Sequence, residues 1–145
     1  MNSVRQILEI KGFDVWAINP DATVFEALRL MADKDVGALP VMEGEKLLGM
    51  ISERDYARKV ILKGKSSKET LVREIMTEKV HSVHPEQTAH EVMTLMTEKR
   101  VRHVPVMENE RVIGMISIGD VLRNVIYQQK QTIRSLEDLI LSIGK

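Results

Sequence analysis

The sequence predicts an α+β fold made of one small unit used twice, and two observations carry that expectation. Laid over itself at a shift of 65, positions 15–61 match positions 80–126 without a gap, with 21 of the 47 pairs identical. A period of this length marks a tandem architecture in which each copy is one structural unit. Within each copy, short β-branched runs alternate with helix-capping patterns, which mixes strands and helices along one chain. The identities include Pro40-Val41-Met42-Glu43 against Pro105-Val106-Met107-Glu108, and Gly49-Met50-Ile51-Ser52 against Gly114-Met115-Ile116-Ser117.

Taken in order, Val4-Arg5-Gln6-Ile7-Leu8 echoes Val72-Arg73-Glu74-Ile75-Met76 at a shift of 68, so each copy is expected to begin with a short lead-in helix. Val15-Trp16-Ala17-Ile18 and Val80-His81-Ser82-Val83 are predicted as strands, each followed by a proline that cannot donate to a ladder. Thr23 with Glu26 and Thr88 with Glu91 are capping boxes, and helices are expected to start there. Val24, Ala27, Leu28 and Met31 then share one helical face. Ala38-Leu39-Pro40-Val41-Met42 and Lys46-Leu47-Leu48-Gly49-Met50-Ile51 are predicted strands around a turn at Gly44, and a second helix is expected from Ser52. Each copy is thus strand, helix, strand, strand, helix. One such unit leaves a face open, and the other copy is its natural cover.

The stretch Lys63-Gly64-Lys65-Ser66-Ser67-Lys68 has the chemistry of an exposed connection. The expected division is a first repeat with its lead-in helix over 1–66, a second over 67–126 and a C-terminal helix over 127–145. In that last segment Ile133, Leu136, Leu139 and Ile140 have amphipathic spacing. Such a helix either completes the monomer's core or joins two chains.

Composition excludes several classes. The chain has 145 residues, 43% of them apolar and 29% charged, an ordinary globular composition. Basic and acidic residues balance at 21 each, so no net field draws it to nucleic acid or to a membrane surface. No cysteine is present, which removes a disulfide framework, a thiolate zinc site and a cysteine nucleophile. The start of the sequence lacks an apolar stretch of signal-peptide length, and nowhere do about 18 apolar residues run together. The expectation is a cytoplasmic protein that does not enter a membrane.

Chemistry concentrates in Ser52-Glu53-Arg54-Asp55 and Ser117-Ile118-Gly119-Asp120, each opening a helix after a Gly-Met-Ile strand. Serine with an acid three residues on is a helix cap in its own right. Equally, backbone N–H groups and a serine hydroxyl at a helix start suit a phosphate, and an aspartate one turn in accepts hydrogen bonds from two vicinal hydroxyls. Those two chemistries together describe a ribonucleotide. No activated nucleophile or phosphate-loop lysine motif appears, and His81, His84 and His90 lack metal-ligand spacing, so neither an enzyme nor a metal site is expected. The nine methionines fall largely at paired core positions, and Trp16 suits either the core or the wall of an adenine pocket.

Paired copies with Pro-Val before a hairpin and then Gly-hydrophobic-hydrophobic-Ser-x-x-Asp resemble the CBS domain pair, or Bateman module, over nearly the whole chain. The resemblance implies tandem CBS repeats packed as a pseudo-twofold pair. It also implies that AMP, ADP, ATP, NAD or S-adenosylmethionine binds in two clefts between the copies, in a regulatory, energy-sensing role. Asp55 and Asp120 would hold the ribose, with Ser52 and Ser117 beside it and with Arg54 and Gly119 inside the two motifs. The resemblance lines the Asp55 cleft with Met76, Val80, His81, Arg102 and His103, where Arg102 favours a polyphosphate or dinucleotide. It lines the Asp120 cleft with Leu8, Trp16, Gly37 and Ala38, without a matching cation, for a less charged ligand. Arg54, Arg58 and Arg123 either reach phosphates or lie on solvated helix faces. A homodimer joined through helices is implied as well. The alternative is an interaction or oligomerisation module whose nucleotide sites are vestigial.

Overall fold

The structure is a computed structural model that describes residues 2–144. Its elements are α1 (Val4–Lys11), α2 (Val24–Lys34), β1 (Ala38–Glu43), β2 (Lys46–Ser52), α3 (Glu53–Lys59), α4 (Val72–Ile75), α5 (Ala89–Lys99), β3 (His103–Glu108), β4 (Arg111–Ser117) and α6 (Ile118–Ile143). The fold is mixed α+β, with one antiparallel two-stranded hairpin per repeat. Their registers are equivalent, down to an irregularity between Val41 and Met42 in one and between Val106 and Met107 in the other.

Thr23 and Thr88 cap α2 and α5 as the sequence predicts, with Glu26 and Glu91 completing each box. The first predicted strand of each copy is different. It shrinks to a single parallel bridge, Ile18 to Val41 and Val83 to Val106. Ile18 donates its N–H to the Pro40 carbonyl at 3.1 Å and accepts from Met42 at 2.9 Å, and Val83 repeats this with Pro105 and Met107. The next rung upstream would need an N–H on Pro40 or Pro105, and the next downstream one on Pro20 or Pro85. Prolines therefore block the ladder in both directions.

The lead-in helices lie across the pair. Val4 and Arg5 of α1 donate to the carbonyls of Gln87 and Pro85 in the second repeat, while Val72 and Arg73 of α4 donate to Ala22 and Pro20 in the first. Two cores result. Val4, Ile7 and Leu8 join Val92, Val104, Val106 and Ile116 in one. Val72 and Ile75 join Val24, Leu39, Val41 and Ile51 in the other.

Two glycines permit this docking. A Cβ on Gly114 would lie 2.8 Å from both Leu8 methyls, and one on Gly49 would lie 2.7 Å from the Thr77 carbonyl oxygen and 3.1 Å from the Met76 sulfur. Glycine at these positions lets a neighbouring segment press directly onto the strand.

The repeats end differently. After repeat 1, α3 stops at Lys59 and a 3-10 turn over Ile61–Lys63 leads to Gly64 at φ 69, beginning the polar connection. After repeat 2 there is no such break. The helix opened by Ser117 continues without interruption through the predicted tail helix to Ile143.

Candidate functional site

Both Ser-x-x-Asp segments form complete capping boxes, so the helix-capping expectation is met at each. Asp55 Oδ2 accepts from the Ser52 N–H at 2.9 Å and from the Ser52 hydroxyl at 3.1 Å, while Ser52 Oγ accepts from the Asp55 N–H at 3.2 Å. In the second repeat, Asp120 Oδ2 accepts from the Ser117 N–H at 2.8 Å, and Ser117 Oγ accepts from the Asp120 N–H at 3.2 Å. The nucleotide chemistry thus depends on what stands beside these caps. Beside each is a cavity walled by the opposite repeat.

The Asp55 cavity measures about 600 Å³ and brings Ser52, Arg54 and Asp55 of repeat 1 against Val80, His81, Arg102 and His103, joined by Gly37 and Ala38. Lys79, Lys99, Arg100 and Thr77 also line it, so apart from Glu53 and Asp55 its charged groups are cations. The Arg54 guanidinium crosses to the Arg100 carbonyl at 3.4 Å. The other Asp55 oxygen, Oδ1, pairs with Lys59 Nζ at 3.0 Å and accepts from the Thr77 hydroxyl at 3.5 Å.

The Asp120 cavity measures about 400 Å³ and sets Ser117 and Asp120 against Trp16, Gly37 and Ala38, with His103 also on its wall. Here the expectation of a cleft without a cation is corrected. Lys11 Nζ donates to Asp120 Oδ2 and to the Met115 carbonyl, both at 2.7 Å, and Arg123 Nη2 donates to Oδ1 at 2.7 Å. Lys34 stands 4.1 Å from the Trp16 ring centroid in a cation–π contact, leaving the indole on the cleft wall and 37% exposed. Asp14, Asp35 and Asp120 balance these three cations.

Asp120 itself is only 7% exposed. Burial is the largest single influence on it and pushes its pKa up, but the hydrogen bond and charge of Lys11 and the backbone and hydroxyl bonds of Ser117 act together to hold the carboxyl below its ordinary value. His103, between the two cavities, is held below the usual imidazole range by burial first and by Lys11 and Arg102 next, with Asp120 opposing.

Two residues expected in the clefts lie elsewhere. Leu8 is fully buried and packs on Gly114, and Met76 occupies the equivalent place over Gly49. The packing that anchors the lead-in helices points both side chains into strand rather than cavity. Gly119 lies against the Arg123 guanidinium, 3.3 Å from where its Cβ would be. Arg58 lines a separate shallow pocket with Arg54 and Arg102. His90 belongs to a groove beside α6, away from His81.

The sequence held a signal for the residues that were missed. The shift of 68 that pairs the lead-in helices also sets Lys11 opposite Lys79, and the shift of 65 sets Lys34 opposite the identical Lys99.

Comparison with known proteins agrees with this architecture. The CBS domain family matches residues 4–62 and 72–127. The CBS domain-containing protein CBSX3, mitochondrial, of Arabidopsis thaliana is 44% identical over 148 residues, covering 95% of this chain and 71% of its own. The crystal structure of the CBS domain NE2398 is 46% identical, with a TM-score of 0.83 over 86% of this chain and 98% of that one. The CBS domain pair of protein MJ0100, solved in complex with 5-methylthioadenosine and S-adenosyl-L-methionine, is 25% identical, with a TM-score of 0.79 over 88% of this chain and 98% of its own. Among the described residues no helix is long and apolar enough to cross a membrane. With two matched repeats, their hairpins and their exchanged lead-in helices, the chain is a CBS domain pair and belongs to the CBS domain family.

Proposed function

We propose that this chain is a non-catalytic regulatory module that binds adenine nucleotides in its two inter-repeat clefts and couples their occupancy to self-association or to a protein effector. One observation carries this: each helix-start serine and aspartate opens onto a cavity whose far wall comes from the other repeat. A ligand spanning such a cavity bridges the repeats, so binding changes how they are held together. The adenosine ligands in the MJ0100 complex support the ligand class.

In the mechanism we propose, the ribose hydroxyls donate to Asp55 or Asp120, and the purine lies along the opposite repeat, beside Val80 and His81 in one cleft and Trp16 in the other. In the Asp55 cleft Arg102, Arg100 and Lys99 take phosphates, which suits ATP or NAD. The smaller, charge-balanced Asp120 cleft suits AMP or a less charged nucleoside. Two charge-assisted hydrogen bonds at about 1.5–3 kcal/mol each supply a large part of a micromolar affinity. We place the protein in the cytoplasm, as a homodimer joined through helices.

A second function has its own support, because both aspartates are satisfied within the chain: the caps are complete with no ligand, as they would be in an interaction module with vestigial sites. Titration calorimetry with AMP, ATP and NAD separates the two. Nucleotide sensing predicts heat that disappears in the Asp55→Ala/Asp120→Ala double variant, and a raised melting temperature at millimolar nucleotide. Absence of both with every adenosine ligand leaves only the interaction module.

A further inference from the structure

We propose that α6 pairs antiparallel with α6 of a second copy of this chain, through a seam formed by Ile126, Gln129, Ile133, Leu136, Ile140 and Ile143. This is separate from nucleotide binding and assigns the self-association to one helix face.

The spacing along that face alternates three and four residues throughout, the pattern of a two-stranded seam. Ile126 is 50% exposed, Ile133 56%, Leu136 53%, Ile140 67% and Ile143 75%. The helix turns a different face to its own repeat: Val121 is buried there, Ile118 and Val125 pack on the same core, and Asn124 accepts from the Asn2 amide at 3.0 Å. At 100° per residue the seam lies about a quarter turn away from that face. From residue 132 to residue 144 every residue is exposed. A helical stretch of about 12–15 residues is marginal in water by itself, so this one calls for a cover.

Charge identifies the cover and its direction. Lys130 and Glu137 flank the seam on the same side, one heptad apart. When two copies run antiparallel with Ile133 opposite the partner's Leu136, Lys130 meets the partner's Glu137 and Glu137 meets the partner's Lys130. Parallel pairing sets the same charges opposite Val125 and Thr132, with nothing to gain. The antiparallel register also carries the partner's helix end toward Gln129 and Ile126. Beside them lies a groove of about 570 Å³ between α6 and the start of α5, lined by Ala89, His90, Val125 and Ile133.

The natural chain has no cysteine, so introduced thiols report contacts cleanly. Ile133→Cys and Leu136→Cys, made separately and then mixed and oxidised, should crosslink to each other while each alone stays uncrosslinked. Self-crosslinking of Leu136→Cys alone, or no crosslinking in the mixture, overturns the pairing. Lys130→Glu should weaken association about fivefold, with recovery in Lys130→Glu/Glu137→Lys, since two rim ion pairs are reversed and then restored. Leu136→Ser/Ile140→Ser touches no buried core residue and should halve the mass of the assembly in sedimentation. An unchanged mass rejects the seam. Nucleotide heats in that variant should match the parent's, so failure here and failure of the nucleotide proposal are told apart.

Discussion

The Asp55 and Asp120 clefts are built from the same elements in the same order and differ at a few aligned positions. Where the Asp120 cleft has Asp35 and Gly37, the Asp55 cleft has Arg100 and Arg102, aligned by the same shift of 65. Asp35 and Arg100 even share a left-handed backbone at φ 54, each ending the first long helix of its repeat. Two exchanges thus turn a charge-balanced cleft into a basic one without altering the fold. The counter-ions differ too. Lys59 pairs with Asp55 from the same helix, whereas Lys11 reaches Asp120 from the lead-in helix of the other repeat. Duplication supplied two equal frames, and side chains at their rims set what each accepts.

The largest expected effect separates the clefts outright. Asp55→Ala should weaken ATP binding by about 100-fold, the loss of two hydrogen bonds to a charged acceptor, while Asp120→Ala leaves ATP at the first cleft unchanged. Calorimetry on both variants checks this. Equal losses would mean one ligand spans both clefts.

Next in size is a stability contrast between the lead-in helices. Gly49→Ala drives a methyl at a backbone carbonyl, which cannot move away, whereas Gly114→Ala meets only the flexible end of Leu8. Urea midpoints should show about 2–3 kcal/mol lost in the first and about 1 kcal/mol in the second, both within the range for overpacking. A reversed order would show that Leu8 is held more rigidly than the strand beside Gly49.

The repeat, the capping boxes, the hairpins and the serine–aspartate helix starts were all legible, because each is encoded within a few residues and written twice. Three features were not. The failed first strands depended on prolines in both partners, and only the register shows that Pro20 and Pro40 block successive rungs. The family resemblance implies cleft positions for Leu8 and Met76, but the facing glycines Gly114 and Gly49 draw them into strand contacts. Lys11 does not stand out in the sequence because its acid lies 109 positions away. Its match with Lys79 at a shift of 68 was the available clue.

Smaller effects sharpen the comparison. Arg102→Ala should cost about tenfold in ATP affinity and leave adenosine unaffected, as expected for one phosphate-facing guanidinium. Lys11→Met removes the group that occupies Asp120 Oδ2, so adenosine should bind the second cleft about threefold more tightly, a gain equivalent to less than 1 kcal/mol. AMP should gain nothing, because Lys11 also stands ready for its phosphate. A gain for both ligands would show that Lys11 acts only as a competitor.

The smallest effect concerns His103, the side chain on the walls of both clefts. Burial lowers its pKa, Lys11 and Arg102 add to that, and Asp120 pulls the other way without prevailing. A folded value below the unfolded one, near 6.5, means the unfolded chain takes the proton first as pH falls. Stability tied to this residue is therefore complete above about pH 6.5 and declines from there toward the folded pKa. His103→Gln should flatten that decline, seen as a smaller gap between melting temperatures at pH 7.5 and 5.5. Because the imidazole is neutral near pH 7, it can rest against a purine in either cleft without repelling the cations around it. A decline that persists unchanged in the variant would reject His103 as its source, and would leave this side chain as a spacer between the clefts.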